Sequence, residues 1–269
     1  MATVVPFFSI ITAVRNAEAV LAETAQSLRG QNFADYEWIV VDGLSDDGTL
    51  GIVRRFIEPG RDQVISEPDT GVYDAMNKGL RLARGQVVQF LNAGDRLADE
   101  GVLASVAAAF GTKVDAVYGD TLLALEDGRT ELRRAFPIAE TLPRRMPISH
   151  QALFVRREFH LAYPFDLSYQ IAADYAAIAK MHCAGGRMRH LPIPVNINTI
   201  EAEAISIRGR VRSAAEDYRI HREILNSPLL AAAWRYLRKR IVIGGVRTLQ
   251  RLPPGVLARL PEGIRRRIY

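Results

Sequence analysis

One cysteine, Cys183, is all that 269 residues contain, so no intrachain disulfide can form. That suits a reducing, cytoplasmic setting. Cys183 lies in a helix-like stretch and is expected as a small buried residue. No apolar run approaches the ~18–20 residues needed to cross a bilayer. The N-terminal MATVVPFFSIITAV lacks a basic leader, which argues against a secretory signal. His160, His182, His190 and His221 show no metal-ligand spacing. What is present is a globular composition, 48% hydrophobic and 24% charged, enough for one domain with an appendage.

The formal net charge of +5 is unevenly distributed. From Arg235 to Tyr269 there are ten Lys/Arg and one acid, Glu262, so the remainder carries 25 bases and 29 acids. A basic tail on a slightly acidic body points to an anionic surface met at one end, not to nucleic acid bound along the fold.

Short β-branched runs alternate with amphipathic stretches. Strands are expected at Phe7–Val14, Trp38–Val41, Val64–Ser66, Val87–Leu91 and Ala116–Tyr118. Helices are expected from an Asn16 cap through Leu28, around Ile52–Phe56 with Asp47 or a neighbour as cap, over Val72–Leu82 and over Val102–Phe110. Continuous apolar strands in this rhythm mean an α/β fold, a mostly parallel, Rossmann-like sheet flanked by helices. Beyond Gly119 come a hairpin around Asp127-Gly128, a strand at Ala152–Val155, a helix at Ala173–Ala184 and a strand at Leu191–Ile197. One domain over 1–226 is expected, with a nucleotide half to about 120 and an acceptor half beyond; 227–269 forms the tail.

In such a sheet ligands bind beyond the carboxyl ends of the strands. Polar groups fall there four times: Thr12–Asn16, Asp42, Glu67–Asp69 and Asn92–Asp95. Asp42 can take hydrogen bonds from a nucleobase or ribose, or serve as a turn acid. In NAGD, Asp95 is the sole carboxylate and can hold Mg²⁺ or Mn²⁺ beside a diphosphate, with Asn92 in support; an Asx-type turn is the alternative. Asp74, Asn77 and Lys78 open a helix whose N-terminus favours phosphate, although Asp74 also suits a cap and Lys78 a solvated surface.

TAVRN, IVVDGLSDDGT, SEPDTGVYDAMNKG, FLNAGD and ISHQALFVRR…IAADY together resemble family 2 glycosyltransferases of the GT-A fold. The similarity is greatest to bacterial enzymes building exopolysaccharide, capsule or lipopolysaccharide, such as colanic acid transferases, and spans about Phe7 to Leu225. The resemblance implies a UDP- or GDP-sugar donor, a divalent metal and inversion at the anomeric carbon. It places Thr12, Arg15, Asn16 and Asp42 around the nucleoside and Glu67, Asp69, Asp74 and Asn77 along the donor. It sets Asn92, Ala93 and Asp95 at the metal motif and makes Asp174 the catalytic base. His150 and Gln151 resemble a His-Gln pair expected to contact donor or diphosphate. The chain departs from the pattern in three places: Asn92 and Gly94 replace metal-motif acids, Ala173 replaces a Glu, and Met76 replaces an Arg. Diphosphate contacts then fall to Arg15, Lys78 or His150. Asp174 could otherwise be a helix N-cap, and His150 a structural histidine.

Leu229–Leu252 reads as an amphipathic helix with Trp234, Leu237, Ile241, Leu249 and Leu252 on one side. Pro253-Pro254-Gly255 ends it, and Val256–Tyr269 is a second basic stretch. Contact with an anionic membrane is expected, bringing the enzyme to a glycan on a polyprenyl-diphosphate carrier at the inner face of the cell membrane. Packing on the domain, or on a second copy as a homodimer, is the alternative. Two other functions compete: a sugar nucleotidyltransferase, disfavoured because TAVRNAEAV lacks a glycine-rich loop, and a non-catalytic sugar-nucleotide-binding or membrane scaffold.

Overall fold

The computed structural model describes residues 5–125, 128–199 and 210–250. The expected alternation opens the chain: β1 (Phe8–Val14), α1 (Leu21–Arg29), β2 (Tyr36–Asp42), α2 (Thr49–Phe56), β3 (Gln63–Ser66), α3 (Val72–Leu82) and β4 (Val87–Phe90). β5 (Arg96–Leu97), α4 (Val102–Ala109), β6 (Ala116–Ala124), β7 (Thr130–Arg133) and α5 (Ile138–Thr141) follow. A 3₁₀ turn at His150–Ala152 leads into β8 (Leu153–Arg156), α6 (Arg157–Ala162), α7 (Ala173–Cys183) and β9 (Met188–Thr199). The last described elements are α8 (Arg210–Arg219), a π turn at Ile220–Ile224 and α9 (Leu229–Gln250).

These strands form one sheet in the order β3-β2-β1-β4-β8-β6-β9-β5, with β7 beside β6. From β3 to β4 every pairing is parallel, as the sequence suggests. Beyond β4 the sheet is mixed: β8 runs antiparallel to β4 and β6, and β5 antiparallel to β9. The unbroken apolar strands have a direct cause. Ile11, Ile39 and Val41 enter a core with α3 and α7, while Phe8, Ile10, Trp38 and Val40 enter a second core with α1, α2 and α4. Both faces are covered at β1, β2 and β4, so no position of these strands is exposed, whereas the edge strand β3 does alternate to solvent.

Gly79 lets α3 lie close on the sheet, since a Cβ there would meet Ile11 Cγ2 at 2.4 Å. That approach brings the N-terminal end of α3, with Tyr73, to the carboxyl ends of β1 and β4. β6 and β9 run well past their expected lengths. The prolines at 192 and 194 hide this in the sequence, but the ladder slips between Gly119 and Thr121, and the pairing passes from Leu191 to Pro194 to Asn196.

Three local expectations are corrected. Asn16 does not cap α1, which begins at Leu21; it adopts φ 52° and accepts the Asp46 amide, bracing the loop after β2. Cys183 is exposed at the end of α7, not buried. The hairpin after β6 forms with Gly128 at φ +80°, while Asp127 lies outside the described residues. Asp47 does accept the Thr49 amide at the start of α2, at 2.9 Å.

α9 packs on α8 through Lys239, which donates to Ser213 Oγ at 2.9 Å and pairs with Asp217, and through a Tyr218–Tyr236 ring contact. Ala232 is buried, whereas Leu230, Trp234, Leu237 and Ile241 form an exposed apolar stripe. No helix among the described residues is long and apolar enough to cross a membrane. Leu252 and the second basic stretch lie outside the described residues.

Candidate active site

A cleft of about 600 Å³ opens at the carboxyl ends of β1 and β4. Arg15 and Asn16 line one end, Asn92 and Ala93 the floor, and His150, Gln151 and Asp174 the far wall. Asp174 is the one carboxylate, and Arg15 the one Lys or Arg, among the described residues on its wall.

The His150-Gln151 step organises this wall. The 3₁₀ turn sends the two neighbouring side chains to different carboxylates. His150 Nδ1 lies 3.2 Å from Asp174 Oδ2, and Nε2 lies 3.2 Å from the Asn92 amide nitrogen. Together these contacts select a tautomer: Nδ1 carries the hydrogen toward the carboxylate and Nε2 accepts from Asn92. Gln151 Nε2 donates to Asp95 Oδ2 at 3.0 Å. Behind Gln151 runs a one-directional chain: Thr121 donates to Asn196, Asn196 to Asn198, Asn198 to Ser149 and Ser149 to Gln151. Each donor polarises the next, and the chain ends on Asp95.

Asp174 sits in the first turn of α7. Its Oδ1 accepts the Tyr175 amide at 2.8 Å, and the Tyr73 hydroxyl lies 3.3 Å away. Burial, then the nearby Asp174 charge, pushes the Tyr73 hydroxyl far above its ordinary value, so it stays a donor. The N-cap alternative for Asp174 is not realised. α7 begins after Ala172, and the buried Glu216 of α8 accepts the amides of Gln170, Ile171 and Ala172 at 3.0, 2.9 and 2.9 Å, holding the segment that leads into the helix. Asp174 keeps one oxygen, Oδ2, whose only protein partner among the described residues is His150.

The NAGD segment is a tight turn: Asn92 O accepts the Asp95 amide at 3.0 Å, and Gly94 has φ +91°. A positive φ at the third position is what a type II turn requires, hence the glycine. Asp95 is fully buried, and this desolvation raises its pKa to about 6, opposed by smaller effects that include the Gln151 hydrogen bond. Asp95 Oδ1 and Asn92 Oδ1 are buried without a hydrogen-bond partner. Two orphaned oxygens from one turn fit a divalent cation whose remaining ligands are phosphate oxygens and water. No group of three or more His, Cys, Asp or Glu suited to a metal occurs among the described residues.

Several expected site residues do not reach the cleft. Thr12 is fully buried and its hydroxyl accepts the Trp38 indole N–H at 2.9 Å. Asp42 realises its turn-acid alternative, accepting from Ser45 and from Ser66 Oγ at 2.6 Å. Asn77 clamps Phe165 in both directions, at 2.8 and 3.1 Å. Lys78 is engaged by Glu67 at 2.9 Å, Asp74 at 3.8 Å and the Pro68 carbonyl. Asp74 also accepts the Thr70 amide, and Asp69 the Gly71 amide, so these acids order the 67–74 segment. Arg15 is left as the cation facing the cleft. Tyr73 and Glu216 were missed because their partners lie 101 and 45 residues away in the chain, and no local pattern announces such contacts.

Comparisons with known proteins bear on the family and the fold. The family model described as Glycosyl transferase family 2 matches residues 9–165. A PGL/p-HBAD biosynthesis glycosyltransferase of Mycobacterium tuberculosis is 40% identical over 175 residues, covering 63% of this chain and 67% of the relative. Among solved structures, the mannosyltransferase PcManGT from Pyrobaculum calidifontis, in complex with GDP-Man and Mn²⁺, superposes with a TM-score of 0.67. It is 18% identical, over 99% of this chain and 84% of that one. S. aureus TarS in complex with UDP gives 0.61 at 20% identity, over 96% and 84%. The fold is GT-A.

Proposed function

The chain belongs to glycosyl transferase family 2, and on that premise we propose that it is an inverting enzyme of cell-surface glycan assembly. It moves a sugar from a UDP- or GDP-sugar to an acceptor hydroxyl. The observation that carries this reading is the His150-Gln151 step, which holds two carboxylates of different environment at the wall and beneath the floor of one cleft.

Asp174 is the base. His150 donates to its Oδ2 and the Tyr175 amide to its Oδ1, which fixes the carboxylate plane. A carboxylate oxygen accepts more than one hydrogen bond, so Oδ2 retains a lone pair for the acceptor hydroxyl. His150 thus stands in for the missing Glu at Ala173, as a positioning residue. Asp174, the one carboxylate on the cleft wall, is read as a base toward the acceptor hydroxyl and not as a nucleophile toward the sugar, which supports single displacement with inversion. Arg15 faces the diphosphate or nucleoside end. Asp95 Oδ1 and Asn92 Oδ1 would hold Mn²⁺ or Mg²⁺, which when bound supplies Lewis-acid stabilisation to the leaving diphosphate. Neighbours solved with GDP-Man and Mn²⁺ or with UDP support donor and metal alike.

The exposed stripe Leu230, Trp234, Leu237 and Ile241, with Arg235, Arg238 and Arg240 beside it, suits the headgroup region of an anionic membrane. That placement supports a lipid-carried acceptor. Turnover of a nucleotide-sugar panel with Mn²⁺ tests the enzyme reading. Loss of turnover in Asp174→Asn and Asp95→Ala supports it. A wild type that binds nucleotide and never turns over would favour the scaffold alternative.

A further inference from the structure

A second cavity, of about 550 Å³, adjoins the cleft. The two share Ile171, Asp174 and Asn198, so Asp174 stands in the wall between them. If Asp174 is the base, the acceptor hydroxyl must arrive from a side not filled by donor, and this cavity is that side. The charges around it differ from those of the cleft. Arg133, Arg134, Arg145 and Lys239 line it, against Asp174 and Asp217.

Those charges can be paired off. Lys239 and Asp217 neutralise each other, and Ser213 takes a further Lys239 hydrogen. Asp174 accepts a hydrogen from His150 and keeps its charge, and Arg133 has a partner of its own, yet four cations against two carboxylates leave the lining net positive. The Arg134 side chain makes no hydrogen bond or ion pair with any described residue, and the Arg145 side chain makes none either, lying over Phe136 at 4.2 Å from the ring centroid. The Phe136 ring holds the Arg145 guanidinium without using its N–H groups, which remain available for two-point capture of an oxyanion. Unneutralised guanidiniums around one concavity repel each other, and a neutral polyol would relieve none of that repulsion.

We infer that the acceptor carries an anionic oxyacid group, phosphate or carboxylate, held by Arg134 and Arg145 in the cavity beyond Asp174. This rests on the assignment of Asp174 as the base and adds the chemical class of the second substrate. Phe136, Met146 and Ile148 on the same wall offer apolar contact to whatever bears the anion.

The experiment uses the full chain with UDP or GDP at saturation, so that the cleft is filled and only the second cavity is free. Phenyl phosphate, benzoate and benzyl alcohol are titrated by calorimetry or ligand-observed NMR. At least one anion should bind about tenfold more tightly than benzyl alcohol, and the phosphate and carboxylate arms tell which group is preferred. Arg134→Gln/Arg145→Gln should lose about tenfold in anion affinity with nucleoside diphosphate affinity unchanged, and Arg145→Lys should fall between, losing the fork but not the charge. Benzyl alcohol binding as tightly as the anions, or a double variant that binds them like wild type, overturns the inference. Failure of wild type to bind either nucleotide would instead overturn the donor assignment, and the same anion titrations without nucleotide would still decide this one.

Discussion

His160 gives the account a quantitative test. It lies on α6 beneath the catalytic wall, its ring edge-on to Phe90 and Phe165 at 5.2 and 5.1 Å, and Nδ1 has no partner. A cavity of about 10 Å³ separates it from His150 and Asp174. Burial lowers its pKa to about 4, against roughly 6.5 in the unfolded chain. Protonation therefore occurs first in the unfolded state. The contribution to stability is fully present above pH 6.5 and is lost as pH falls toward 4. The gap of about 2.5 units corresponds to about 3 kcal/mol in all, of which about 2 kcal/mol is lost between pH 7.5 and pH 5. The assay is urea unfolding of wild type and His160→Leu at those two pH values. Other groups, including buried His221, titrate in both proteins and cancel in the double difference. Wild type should lose about 2 kcal/mol more than His160→Leu on acidification. Equal losses in the two proteins would refute the burial argument.

Other predictions follow from single contacts. His150→Ala should lower kcat roughly tenfold to hundredfold while donor KM stays within about twofold, because it orients the base and does not hold the donor; a change in donor KM alone would contradict this. Gln151→Ala should raise the Mn²⁺ concentration for half-maximal activity about 10–100-fold by releasing Asp95, read from metal titrations of transfer activity. Gly79→Ala should cost about 1–3 kcal/mol in unfolding free energy, since its Cβ would meet Ile11 Cγ2 at 2.4 Å. Trp234→Ala/Ile241→Ala should reduce flotation on phosphatidylserine vesicles and leave binding to neutral vesicles low; unchanged flotation would remove the membrane role of α9.

The fold was largely readable because buried parallel strands leave a strong mark: FSIITAV and WIVVD are apolar at consecutive positions, and α3 was bounded at the residues observed. The sheet beyond β4 was not readable, since strand direction depends on partners rather than on local pattern. β9 was masked by prolines that only a register slip could accommodate. The site was half legible. Strand-end position pointed to the cleft through Arg15, Asn16 and Asn92, whereas His150, Gln151 and Asp174, which also line it, were indicated only by the family resemblance. Position alone could not tell an acid facing the cleft from one consumed by its own turn, as Asp42 is by Ser45 and Ser66. Nor could it foresee that adjacent residues, His150 and Gln151, would serve separate carboxylates, which depends on the 3₁₀ turn that splays them.

Donor turnover by Asp174→Asn bears most directly on the proposed chemistry. With a UDP- or GDP-sugar that wild type consumes, the variant should bind nucleotide normally, keep its fold and lose about 10²–10⁴-fold in kcat, and wild-type product should emerge with inverted anomeric configuration by NMR. Turnover at the wild-type rate, or a product of retained configuration, would contradict Asp174 as the base of a single displacement.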